Sequence, residues 1–297
     1  MNRTQIFNEC RPLLMAIAYR MLGSRADAED AVQETFLRWQ QSNEEPASAK
    51  AFLSTIITRL CIDQLRSARA QREVYVGPCL PEPLMTEGST VEMAESLTMA
   101  FLVMLETLAP AERAAFLLHD VFDFDYPEIS QMIGKTEANS RQIVFRARER
   151  LTKRRRRFEP TREETERITS RFIETTRNGD LSGLMAMFAE DAVMTSDGGG
   201  KARAALKPVH GADAIARFIM GVLKKNEGWD AVHTLTEVNG QPAFVTLIAG
   251  QPIGVMILDI HDGVIQNLFI VVNPDKLQNM DSRGRSFSLD QGARDRS

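Results

Sequence analysis

Long apolar runs are missing from this 297-residue chain, and no uncharged hydrophobic stretch approaches the roughly 18 residues that a membrane span needs. The opening Met-Asn-Arg-Thr-Gln-Ile-Phe also lacks the apolar core of a signal peptide. Cysteine is scarce. Cys10, Cys61 and Cys79 are odd in number and far apart, so they imply neither a disulfide framework nor a zinc site. These absences point to a reducing cytoplasm and to no membrane partner. No Ser–His–Asp order, metal-ligand spacing or paired-carboxylate motif stands out, so no catalytic residue, metal or cofactor is expected, and the chain does not read as an enzyme. The hydrophobic share, 43%, and the charged share, 26%, are those of an ordinary globular protein, which excludes fibrous and wholly disordered classes. The length suits two or three domains.

What is present is charge concentrated in one place. The formal net charge is -4. Through Arg157, basic and acidic residues balance, and the whole deficit lies beyond it. Arg141 to Arg157 nevertheless holds nine basic residues against one acid, Glu149. The stretch before it has helical apolar spacing. Tyr126-Pro127 opens a short helix with Ile129 and Ile133 inward, Gly134 supplies a tight turn, and Thr136 caps a longer basic helix. That order is a helix-turn-helix signature. At 100° per residue, Ser140, Ile143, Val144, Ala147 and Leu151 share one side, while Arg141, Gln142, Phe145 and Glu149 point away with Arg146 at the edge. An outward Phe between Arg and Gln fits a major groove, where a ring touches a thymine methyl and Arg or Gln bonds base edges. A helical hairpin with a solvated basic tail is the competing reading.

Three helices precede this. The first carries Leu14, Ile17 and Met21; Ser24 and Asp27 form a capping box for the second. The second helix has Ala28, Val32, Phe36 and Trp39 on one side and Asp27, Asp30, Glu34 and Arg38 on the other. The third has Phe52, Ile56, Leu60 and Leu65 inward and Arg59, Arg66, Arg69 and Arg72 outward. Gly77, Pro78, Pro81 and Pro83 mark a linker, after which helical pattern resumes at 91–108 and 111–119. After Pro160 come two helices, strand 192–196, helix 211–225 and strand runs 229–238, 243–249, 253–260 and 264–272. Asn239-Gly240 and Asp262-Gly263 favour type I′ hairpin turns between them. Helices followed by an antiparallel meander read as α+β. Residues 278–297 read as a patternless mobile tail.

Three separated motifs now resemble the extracytoplasmic-function sigma factors: Asp27-Ala28-Glu29-Asp30-Ala31-Val32-Gln33-Glu34-Thr35-Phe36, Cys61-Ile62-Asp63-Gln64-Leu65-Arg66, and Arg146-Ala147-Arg148-Glu149-Arg150-Leu151. The last region resembles a SnoaL-like (NTF2-like) α+β cone. Leu80-Pro81-Glu82-Pro83, Asp197-Gly198-Gly199-Gly200-Lys201 and Asn273-Pro274-Asp275-Lys276-Leu277 resemble the branch with that fused extension. The family favours Trp just before Leu-Pro-Glu-Pro; Cys79 holds that place here, with Tyr75 nearby.

The resemblance implies a multidomain chain. Residues 1–72 would be a sigma-70 region 2 domain, 73–90 a linker, 91–157 a region 4 domain, 160–277 a SnoaL-like regulatory domain and 278–297 a tail. Core RNA polymerase would meet Asp27, Asp30, Gln33, Glu34 and Phe36. Promoter DNA would meet Arg59, Arg66 and Arg69 at the minus-ten element. At the minus-thirty-five element, Asn139, Arg141, Gln142 and Phe145 would contact bases, and Lys135, Arg146 and Arg148 mainly phosphates. The linker segment Leu80, Pro81, Glu82 and Pro83, the Asp197, Gly198, Gly199, Gly200 and Lys201 loop and the Asn273, Pro274, Asp275, Lys276 and Leu277 segment would be the contact points of an extension that modulates promoter-specific initiation in cis. The Gly-rich loop fails the phosphate-loop pattern, lacking its leading Gly and the Ser or Thr after Lys. A DNA-binding regulator with a ligand-sensing or enzymatic third domain is the alternative. In that reading a small-molecule ligand would occupy a pocket faced by His233 and Asp259.

Overall fold

The computed structural model describes residues 2–44, 46–71, 75–86, 97–152, 161–280 and 285–287. They divide into two units, Met1–Val74 with Phe101–Arg155 and Tyr75–Ala100 with Arg156–Ser297.

The first unit is all helical. Helices α1 (Arg3–Leu22), α2 (Arg25–Gln41) and α3 (Ala49–Gln71) form a bundle around Leu14, Ile17, Val32, Leu53 and Ile57, each nearly or fully buried. Gly23, at φ 71°, ends α1, and its N–H returns to the Tyr19 carbonyl at 2.8 Å. Ser24 Oγ then accepts the Asp27 N–H and starts α2, the Ser24 half of the expected capping box. α4 (Met99–Leu105), α5 (Pro110–Asp120), α6 (Tyr126–Ile133) and α7 (Glu137–Thr152) follow. Asp125 and Glu128 cap α6 reciprocally, and Gly134 ends it at φ 65°. The expected helix-turn-helix is therefore α6, the Gly134 turn and α7. Arg113 is 4% exposed and donates to the Leu105 carbonyl at 3.0 Å and the Met21 carbonyl at 2.6 Å. A buried cation needs such acceptors. These bonds tie the α1 end to the second helical group.

The second unit is α+β. α8 (Arg162–Arg177) and α9 (Leu181–Met185) lead into β1 (Phe188–Asp197) and β2 (Val209–His210). α10 (Ala212–Lys225) then precedes β3 (Ala231–Val238), β4 (Gln241–Ile248), β5 (Gln251–His261) and β6 (Val264–Val271), and a single 3-10 turn covers Pro274–Lys276. β7 (Arg285–Phe287) completes a mixed sheet of order β2-β1-β6-β5-β4-β3-β7. β3 to β6 are the expected antiparallel meander, and β1 joins it parallel to β6. Asn239 and Gly240, and Asp262 and Gly263, all have positive φ, as type I′ turns require. α8 and α10 cover the sheet through Phe172, Ile215 and Ile219, which share a core with Phe244 of β4.

Two boundaries differ from the sequence reading. Residues 75–86 of the expected linker lie along the second unit rather than between domains: Met85 bridges Val238, and Leu84 and Asn239 exchange hydrogen bonds. Residues 285–287 of the expected tail add an edge strand to β3, while the rest of 281–297 lies outside the described residues.

Candidate functional site

The outward face of α7 carries the residues expected at DNA. Arg141, Gln142, Phe145 and Arg146 are exposed, Phe145 at 62%, while Ser140, Val144, Ala147 and Leu151 are buried. Lys135 and Asn139 are exposed at the helix entrance. Tyr126, from the start of α6, joins Arg141, Gln142, Phe145, Arg146 and Arg148 around one shallow depression. The Arg141 guanidinium lies 4.3 Å from the Tyr126 ring centre and 2.5 Å from a Glu137 carboxylate oxygen. Sequence reasoning did not assign Tyr126 to the site; its place beside Pro127 had marked it only as a helix start.

Two arginines expected at phosphate are differently engaged. Arg148 forms a two-pronged pair with Asp120, Nε at 2.9 Å and Nη2 at 2.6 Å from Oδ1, and so ties α7 to the end of α5. Arg59 donates to the carbonyls of Gln131 at 2.7 Å and Met132 at 3.2 Å, joining α3 to α6. Both bonds have one cause: a charge pattern shows that a side chain leaves its own helix core, but not whether a neighbouring helix end meets it. Arg66 is exposed beside Asp63 at 3.5 Å, in keeping with a carboxylate that orients it. The Arg69 side chain lies outside the described residues.

On α2, Asp30 and Gln33 are exposed, Asp27 and Glu34 half-buried, and Glu34 pairs with Arg38 at 2.8 Å. Phe36, on the apolar side of α2, is half-buried against Phe7, ring centres 4.8 Å apart. Leu37, seven residues after Asp30 and hence on its face, is 46% exposed. It sets an exposed apolar side chain beside the carboxylates of that face, a placement that the spacing alone makes legible.

In the second unit the linker segment, the Gly-rich loop and the 273–277 segment meet at Asp197. Its carboxylate is wholly buried, a costly state unless it is paired and bonded. Oδ1 accepts from the Tyr75 hydroxyl at 2.7 Å and the Gly199 N–H at 3.0 Å; Oδ2 accepts from the Leu80 N–H at 2.9 Å and Lys276 Nζ at 2.8 Å. Lys276 also donates to the Leu80 carbonyl and to Cys79 Sγ, the latter at 3.3 Å. Asn273 Nδ2 donates to the Tyr75 oxygen at 3.0 Å, Asn279 to Glu82 at 3.1 Å, and Lys201 pairs with Asp275 at 2.5 Å. Leu80, Pro81, Glu82 and Pro83 are all buried, and Leu277 is 2% exposed. Gly200 lies against Val76, while Pro274 starts the turn that places Lys276. Tyr75 therefore supplies the aromatic anchor where Cys79 replaces Trp. Burial, and then donation to Asp197, pushes its phenol up to about 12. Burial alone would lower the Lys276 ammonium, but the Cys79 sulfur, Asp197 and Tyr75 outweigh it and hold it above the ordinary lysine value.

His233 and Asp259 do not meet. His233 lines the cavity of the second unit, with Nδ1 3.0 Å from Thr246 Oγ1. Asp259 is 3% exposed and takes hydrogen bonds from Gln241 at 3.1 Å and Asn267 at 2.6 Å, with His261 Nε2 at 3.0 Å. Gln241 in turn accepts the Met99 N–H at 2.7 Å. Asp259 thus holds β4 and β6 side chains and, through Gln241, the first residue of α4, and it does not line the cavity.

Residues 6–71 match the family described as Sigma-70 region 2, residues 98–151 Sigma-70, region 4, and residues 169–263 the SnoaL-like domain. The chain is 35% identical over 291 residues to the ECF RNA polymerase sigma factor SigJ of Mycobacterium tuberculosis, covering 91% of each. It is 31% identical over 279 residues to the probable ECF RNA polymerase sigma factor SigI of the same organism, covering 90% of this chain and 92% of that one. The crystal structure of M. tuberculosis SigJ superposes with a TM-score of 0.75 at 32% identity, covering 92% of this chain and 97% of that chain. With helical region 2 and region 4 domains and a SnoaL-like α+β domain in one chain, the protein belongs to the extracytoplasmic-function RNA polymerase sigma factors and directs promoter-specific transcription initiation.

Proposed function

We propose that this sigma factor meets core RNA polymerase through the exposed face of α2 and promoter DNA through α3 and α7, and that its SnoaL-like domain governs initiation by holding the linker. The face of α2 offers Asp30, Gln33 and Leu37, carboxylate and amide beside an apolar contact. α7 offers Arg141, Gln142 and Phe145 for base edges and Lys135, Asn139 and Arg146 around them. Phosphate contacts set affinity, while base contacts set sequence preference. The working place of such a protein is the cytoplasm, beside the polymerase.

The observation that carries the regulatory reading is the buried Asp197 carboxylate. It is held by Tyr75 and Leu80 of the linker and by Lys276 of the SnoaL-like domain. A segment that must run between two promoter-binding domains is therefore fastened to a third. The domain acts as a binding module rather than an enzyme, since the acid and base that the sequence offered do not share its cavity.

The test is transcription in vitro with core polymerase and the full chain, compared with Asp197→Asn and Lys276→Met. Initiation that requires the chain, and that changes by about threefold or more in both variants with core-polymerase affinity unaltered, supports the reading. Output that is the same in all three overturns the clamp.

A further inference from the structure

The SnoaL-like unit encloses a cavity of about 440 Å³, within the range of small-molecule sites. Phe172, Phe218, Phe244, Met256 and Ile270 make its wall apolar. Its charged lining is unbalanced: Arg177, Arg203 and Lys224 face a single acid, Glu227. An apolar body would gain from burial here, whereas an anion would cost free energy unless it ended at those cations. The geometry points to an effector site for an apolar monoanion, with its occupancy coupled to the linker clamp. This inference rests on the reading that the clamp controls initiation.

The coupling follows from shared backbone. Ser196 lines the cavity, and the next residue, Asp197, faces the linker, as strand alternation requires. Val272 lines the cavity, and the next residue, Asn273, bonds Tyr75. The Asp197 carbonyl accepts from Val272 N–H at 2.8 Å and Asn273 N–H at 3.1 Å, locking the two strand ends together. Ser196 Oγ accepts the Ala205 N–H at 2.8 Å and closes the loop that carries both Gly199, bonded to Asp197, and Arg203, at the cavity. An anion drawing on Arg203 thus acts on the loop that shapes the clamp. Coupling of this kind is reciprocal: whatever the ligand does to the clamp, loosening the clamp does to ligand affinity.

The experiment uses the full chain and binding alone. 1-Anilinonaphthalene-8-sulfonate is titrated by fluorescence and displaced with 2-naphthoate or its uncharged counterpart 2-naphthol. Expected are one site per chain and displacement about tenfold better by the anion. Arg203→Gln should remove that preference, and Tyr75→Phe and Lys276→Met should each shift naphthoate affinity by about threefold or more. Lack of saturable one-to-one binding, or a preference that survives Arg203→Gln, overturns the site. Affinity unchanged in both clamp variants overturns the coupling. Neither result touches transcription, so a failure here leaves the clamp reading to stand or fall on its own assay.

Discussion

Asp197 concentrates the chemistry of the linker contact in one side chain. Four donors surround a carboxylate that water does not reach, and removing one leaves the charge under-satisfied. A hydrogen bond to a charged group is worth about 1.5–3 kcal/mol. Tyr75→Phe should therefore loosen linker docking by about that much, read as faster amide exchange at Leu80. The clamp should also be alkali-sensitive. The Tyr75 phenol, at about 12 in the folded chain, lies above the value near 10 of an unfolded tyrosine. Lys276 is likewise raised. Both contributions are complete below about pH 10 and are lost as pH climbs through the folded values. Exchange at Leu80, corrected for its intrinsic pH dependence, should rise between about pH 10 and 12 in the native chain and less in Tyr75→Phe.

The proposed DNA contact of α7 makes a separate residue-scale prediction. Arg141→Ala should relax base preference at one promoter position by about 1–3 kcal/mol. Arg146→Ala should weaken all promoters alike and reduce the salt slope by about 0.9. Binding titrations on a promoter and its single-base variants, at several salt concentrations, separate the two outcomes. Indistinguishable variants would remove the assignment of α7 to direct base reading. The α7 face was legible because burial follows 3.6-residue periodicity. The Arg59 and Arg148 bonds were not, because their acceptors, the α6 carbonyls and Asp120, come from other helices.

At the scale of elements, turn chemistry was the most legible feature. Asn-Gly and Asp-Gly announced two hairpins that the sheet contains. The hairpin at Ala249-Gly250 was not announced, because alanine rarely takes the φ of 49° it has there. The parallel pairing of β1 with β6 also escaped, since pairing across the chain leaves no local mark. The triple glycine of 198–200 gains a specific reason. At Gly199, φ is 59°, and a Cβ would lie 2.3 Å from the Asn273 amide nitrogen. Gly199→Ala should therefore expel Asn273 and open the clamp, with a backbone cost of about 1–2 kcal/mol besides. Gly221 sits in α10 with nothing near its absent Cβ. Gly221→Ala should instead stabilise the chain by about 0.5–1 kcal/mol. Thermal unfolding and Leu80 exchange measured on both variants check the pair: Gly199→Ala exchanges faster, while Gly221→Ala melts higher with unchanged exchange.

For the whole molecule, the unit boundaries carry the argument. Sequence punctuation at Gly77, Pro78, Pro81 and Pro83 correctly marked a stretch without regular helix or strand, but composition could not say which domain would bury it. Leu80 to Pro83 are covered by the SnoaL-like unit, and Leu84 to Thr86 run beside β3 and its turn, with Thr86 Oγ1 accepting the Gly240 N–H at 2.8 Å. The linker is thus part of the third domain's surface while clamped. Releasing it adds free chain between the two promoter-binding domains and so changes the entropy of spanning both promoter elements at once. Transcription from promoters whose two elements are separated by one or two extra base pairs measures that freedom. Gly199→Ala should flatten the dependence of output on spacing relative to the native chain, while leaving preference within each element unchanged. A variant with the clamp open by amide exchange, but with native spacing dependence, would show that the linker's docking does not set the reach between promoter elements.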